Sequence, residues 1–118
     1  MTTPVMSFNA SAIDLNQKIE YSQAGVKRQT LLEDANCRYI LMSLTAGTRI
    51  AEHASARNAT VNVIAGQGTL TMEGQEIALE PGILVVLPAN ARHSLIAAEN
   101  LTVLLTLSEL AADSARSM

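Results

Sequence analysis

Two histidines, His53 and His93, are the only imidazoles in this chain of 118 residues. Imidazole binds transition metals and acts as a general base near neutral pH. Two of them brought together could share an ion, but they fall short of the three or four protein ligands that zinc sites use. Tyr39, one of three aromatics with Phe8 and Tyr21, either offers its hydroxyl to a pocket or packs in the core or an interface. Arg49, Arg57 and Arg92 lie close to the histidines in sequence. An inward guanidinium could pair with a carboxylate or phosphate, although a solvated arginine is the simpler reading of each. No G-x-S-x-G is present, and few acidic residues flank either histidine, so no Ser-His-Asp arrangement can be defended.

The elements that must position these residues are short strands. Apolar stretches punctuated by Gly, Pro and Asn predict strands over residues 28–33, 37–44, 49–53, 60–64, 69–72, 76–79, 83–87, 93–97 and 101–107, with a further strand over 5–9. Strands that short with regular turn signals indicate an all-β sandwich or barrel. Gly66-Gln67-Gly68 has neither a following helix nor a P-loop lysine, and it reads as a hairpin turn. Residues 1–35 are expected as N-terminal strands packing on the barrel or on a dimer partner, and 36–107 as the barrel. Residues 108–118 are expected as a tail or short helix with Ser108 as its N-cap. The stretches 83–87 and 101–105 barely alternate, so both of their faces are expected to be buried. In so small a barrel that implies a cover, either a second subunit or the N-terminal segment, and a homodimer is expected.

The stretch from Gly47 to Ala97 resembles the two motifs of the cupin family. The first, G-x5-H-x-H-x3,4-E-x6-G, reads here as Gly47, His53, Ser55, Ala59 and Gly66. The second, G-x5-P-x-G-x2-H-x3-N, reads as Gly82, Pro88, Asn90, His93 and Ala97. Fifteen residues separate the two motifs. The scaffold positions match, and Asn90 in place of glycine is a mild change, since Asn tolerates a left-handed backbone. The resemblance implies a double-stranded β-helix (jelly-roll) barrel with a pocket lined by His53, Ser55 and His93, and with Tyr39 as a further candidate. Cupin metal centres usually take three His and one Glu. Here Ser55 stands for the second histidine and Ala59 for the glutamate. The implied cofactor is therefore none, or a divalent ion (Zn, Fe, Mn or Ni) held by His53 and His93 with recruits such as Glu52, Cys37 or Asn58. Alternation along one strand would turn Glu52 away from His53.

Composition narrows the partners. Hydrophobic residues make up 48% and aromatics 3%, so the core must be aliphatic. A net charge of −3 with no basic run and no aromatic platform argues against nucleic acid. No apolar run is long enough to span a bilayer. The single cysteine, Cys37, reads as a small core residue and suits a reducing, cytoplasmic setting. Three functions stay open: a small-molecule-binding cupin without a complete metal site, a metal-dependent cupin enzyme of dioxygenase or isomerase type, and a metal-free isomerase or epimerase with His as general base. The first is favoured, because two of four ligand positions are lost.

Overall fold

The computed structural model describes Met6 and residues 8–110. Among them a four-residue helix, α1 (Leu15–Lys18), precedes nine strands: β1 (Val26–Glu33), β2 (Cys37–Leu44), β3 (Arg49–His53), β4 (Arg57–Ala65), β5 (Gly68–Met72), β6 (Gln75–Leu79), β7 (Leu84–Leu87), β8 (His93–Ala97) and β9 (Leu101–Leu110). They form two antiparallel sheets, β1-β2-β9-β4-β7 and β3-β8-β5-β6, in an all-β jelly-roll barrel. No helix among the described residues is long and apolar enough to cross a membrane.

Period-two alternation builds the core. Met42 and Leu44 of β2, Val61 and Val63 of β4, Val85 and Leu87 of β7, and Leu101 and Val103 of β9 project inward from the larger sheet. Leu70, Leu79, Leu95 and Ala97 meet them from the smaller one. The interior is thus aliphatic, as a chain with so few aromatics requires.

The outer face of the larger sheet is half covered. Leu41, Ser43 and Thr102 point away from the core and are nevertheless buried. The N-terminal segment lies over them: Thr102 Oγ1 donates to the Tyr21 hydroxyl at 2.8 Å, and Ser43 and Thr102 share a 2.9 Å hydrogen bond. Farther across the sheet the cover ends. Leu84 and Val86 of β7 are 59% and 60% exposed in the single chain, so the expectation that both faces of this strand are buried is not met within it.

Three further readings change. Gly66-Gln67-Gly68 is not a hairpin, because β4 and β5 belong to different sheets. It is a corner where Gly66 abuts Asn100 of the β8–β9 turn and a Cβ on Gly68 would stand 2.5 Å from the Ile96 carbonyl oxygen of β8. Ser108 caps no helix, since β9 runs through it to Leu110 and pairs with Arg57. Residues 111–118 lie outside the described residues. The strand expected over 5–9 lies partly outside them, and within them Met6 forms a single parallel bridge to Leu32.

Candidate functional site

His93 opens β8 and His53 closes β3, and the two are register partners. His93 shares the inward face of Leu95 and Ala97 by simple alternation. His53 reaches that face through a bulge. Ile50 pairs with Leu95 and His53 with His93, so β3 has one extra residue over this stretch, and the bulge flips the phase of its side chains. The imidazoles consequently meet, with centroids 4.3 Å apart and planes tilted by 58°. Met72, opposite His93 on β5, completes a row across three strands. His93 is half-buried and His53 exposed, which places the pair at the rim of a barrel filled by its own side chains.

Each ring is held in the same way. His53 Nδ1 lies 3.0 Å from the Ala51 carbonyl oxygen, and His93 Nδ1 lies 3.0 Å from that of Ala91. A carbonyl oxygen only accepts, so each Nδ1 must donate, and in the neutral rings both lone pairs sit on Nε2. Two imidazoles with pinned Nδ1–H and free Nε2 are poised to accept hydrogen bonds, take up protons or ligate an ion.

The other ligand positions do not supply donors. Ser55 Oγ accepts the Arg57 N–H at 3.0 Å, and the Ser55 carbonyl accepts the Asn90 N–H. Ala59 is buried in the core opposite Leu87 and Leu107. The candidate recruits are engaged elsewhere. Glu52 pairs with Arg92 at 3.4 Å, both well exposed, an ion pair of little energetic weight. Asn58 Oδ1 accepts the Ala89 N–H. Cys37 is half-buried at the start of β2, and its N–H donates to Asp34. The N–H groups of Asn36 and Cys37 hold the Asp34 carboxyl below its usual pKa. Among the described residues no group of three or more His, Cys, Asp or Glu could hold a metal ion. Two neutral imidazoles alone do not fit a resident divalent ion, which needs further ligands and charge compensation.

Tyr39 does not join the pair. It lies on the outward face of β2, opposite the one carrying Met42 and Leu44, and its ring packs edge-on against Phe8 at 6.0 Å. Asn90, in contrast, does what its place in the loop demands: its φ of 70° is left-handed, and its N–H ties the β7–β8 loop to Ser55. Glu73 was missed as a rim residue. It exchanges backbone and side-chain hydrogen bonds with Arg92 and so anchors the residue before His93. Its sequence signal, Glu73-Gly74, marks only the turn.

No curated protein matches the chain. Among solved structures, a conserved protein of unknown function from Streptococcus pyogenes is 27% identical, with a TM-score of 0.75 over 85% of this chain and 88% of that one. A cupin superfamily protein from Desulfitobacterium hafniense is 18% identical, with a TM-score of 0.78 over 92% and 97%. An RmlC-like cupin protein from Desulfovibrio desulfuricans is 18% identical, with a TM-score of 0.76 over 85% and 97%. The cupin domain family matches residues 40–108, more than half of the sequence and both histidines with it, and the chain belongs to that family.

Proposed function

We propose that this protein is a small-molecule-binding cupin that holds its ligand at the barrel rim through Nε2 of His53 and of His93, without a resident metal ion. The observation that carries this reading is the pair of touching imidazoles whose Nδ1 atoms are committed to backbone carbonyls. Each free Nε2 accepts one hydrogen bond, so the ligand class is a small molecule with two neighbouring O–H or N–H donors and an apolar edge toward Met72. A reducing, cytoplasmic location suits the lone thiol of Cys37.

A metal-free isomerase is the second reading, favoured by the exposure of His53, since the same lone pair serves as a general base. A metal-dependent dioxygenase or isomerase would need donors that Ser55 and Ala59 do not offer.

Elemental analysis of protein purified without chelator or affinity-tag nickel tests the proposal, together with calorimetric titration of diols, hydroxy acids and amides. Metal well below one equivalent is expected, with binding of one such class lost on changing both histidines to alanine. Stoichiometric zinc, iron, manganese or nickel that disappears in the double variant would replace this reading with the metal-dependent one. Proton exchange into a bound compound in heavy water, lost with His53→Ala, would favour the isomerase.

A further inference from the structure

We infer that the outer face of the smaller sheet carries a second binding site, one that takes a short zwitterionic chain such as a free tripeptide. Alternation fixes what this face presents. Ile50, Leu70, Ile77, Leu95 and Ala97 pack on the core side, so Arg49, Thr69, Thr71, Glu76, Ser94 and Ile96 face out. Cross-strand register sorts them into two rows, Arg49–Ile96–Thr69 and Ser94–Thr71–Glu76. Together they line one hollow of about 310 Å³, at the lower end of the range for small-ligand clefts. β3 and β6 are the two edges of the sheet. The guanidinium and the carboxylate therefore belong to opposite edges, with three hydroxyls between them. The hollow lies on the opposite face of β8 from His93, and it does not rest on the reading of the rim.

Threonine on an open strand face is ordinary, and so is a solvated charge. What distinguishes this face is that its polar side chains are unpaired. No hydrogen bond or ion pair joins the side chain of Arg49, Thr69, Thr71, Glu76 or Ser94 to another described residue. The outward hydroxyls of the larger sheet differ, since Ser43, Thr102 and Tyr21 bond one another. The neighbouring charges differ too: Arg92 pairs with Glu52, and its N–H donates to Glu73. The three half-buried hydroxyls of the hollow hold water that a ligand with matching N–H and C=O groups displaces. Charge then selects the ligand. An anion gains at Arg49 and loses at Glu76, a cation does the reverse, and a zwitterion gains at both. The span sets its length. Three strand spacings and two residues along a strand separate Arg49 from Glu76, about 16 Å between Cα positions. An extended tripeptide holds its terminal charges about 10 Å apart, and an ion contact of about 3 Å at each end completes the span.

Titration of the full chain with trialanine, followed by proton–nitrogen correlation spectra, tests the proposal. Saturable shifts are expected at the amides of Thr69, Thr71 and Ser94, with weaker binding at higher ionic strength. N-acetyl-trialanine and trialanine amide should each bind about two- to five-fold more weakly, the weight of one exposed charge pair. Arg49→Gln should erase the preference for the free carboxylate over the amide, and Glu76→Gln the preference for the free ammonium over the acetyl group. Both positions are exposed, so both variants keep the fold. Changing both histidines to alanine should leave binding intact, which separates this site from the rim. No saturable shift at the three amides with millimolar trialanine, or shifts that vanish with the histidines, would overturn the proposal. So would an acetylated peptide that binds as tightly as the free one, since the hollow would then be an anion site at Arg49 alone.

Discussion

Ala59→Glu places a carboxyl where the cupin motif has one and this chain has a methyl. Ala59 is only 7% exposed, in the middle of the apolar core and flanked across its strands by Leu87 and Leu107. Extending that side chain overpacks the core, at a cost of about 1–3 kcal/mol. The carboxyl head, buried without a partner and driven to protonate, adds about 1–3 kcal/mol more. The expected loss of about 2–6 kcal/mol is a large part of a stability on the order of 5–15 kcal/mol. Urea unfolding followed by far-ultraviolet circular dichroism measures it. In the cupin motif the glutamate at this position joins the histidines as a ligand, so zinc is expected to act on the variant and not on the wild type. At free zinc about 100-fold above its dissociation constant the recovery is about 2.7 kcal/mol. Adding His53→Ala and His93→Ala should abolish that recovery. A loss below about 1 kcal/mol would show that position 59 is not packed as described. No zinc recovery, or recovery that survives loss of both histidines, would show that a carboxylate at position 59 does not complete a site with the imidazole pair.

Gly66→Ala and Gly74→Ala should separate sharply in urea unfolding. Both glycines have positive φ, but a Cβ on Gly66 would overlap the Asn100 carbonyl oxygen and stand 2.8 Å from Leu101 Cα, whereas Gly74 faces open space. About 1 kcal/mol is expected for Gly74→Ala and about 3 kcal/mol or more for Gly66→Ala, and equal losses would contradict the close crossing at that corner. Asp34→Asn should weaken the fold at neutral pH, with the difference from wild type fading in acid. The folded carboxyl sits below the ordinary 3.8, chiefly through the Asn36 N–H and then that of Cys37. Its stabilisation is therefore complete above that value and is lost as pH falls through the lowered one. Parallel urea titrations across acid pH would check this, and a difference independent of pH would count against it.

The strands over 37–44, 49–53, 69–72 and 93–97 stand in the structure where turn residues and apolar runs place them, as β2, β3, β5 and β8. The information for these is local. Where sequence reading fails, a distant residue decides. β4 begins at Arg57, three residues early, because its guanidinium reaches the Ser108 carbonyl and its strand pairs with the end of β9. Gly66 and Gly68 look like any hairpin turn until the end of β8 and the turn from β8 to β9 are seen pressing against them. Tyr39 was equally ambiguous: only the register of β2 against β9 and the arrival of Phe8 put its ring outside. The helix over Leu15–Lys18 has a signal in Asp14, whose carboxylate accepts the Asn16 N–H, but one turn is too short to show a period.

For the site itself, chemistry was legible and geometry was not. Residue types identify His53 and His93 as the imidazoles, and the resemblance to the cupin motif marks Ser55 and Ala59 as the missing partners. Whether the two rings meet depends on a one-residue slip. With regular pairing, Ile50 inward would leave His53 outward, on the opposite face from His93. The extra residue in β3 reverses that and turns Glu52 out toward Arg92. The bulge, the carbonyls of Ala51 and Ala91, and the Asn90–Ser55 tether are all backbone features. A scaffold that aims two imidazoles through its backbone can keep them in place after the side chains that would complete a metal site are gone. On the proposed reading the pair is then a preformed acceptor for hydrogen bonds, whose specificity would rest with what its two Nε2 atoms and Met72 can reach.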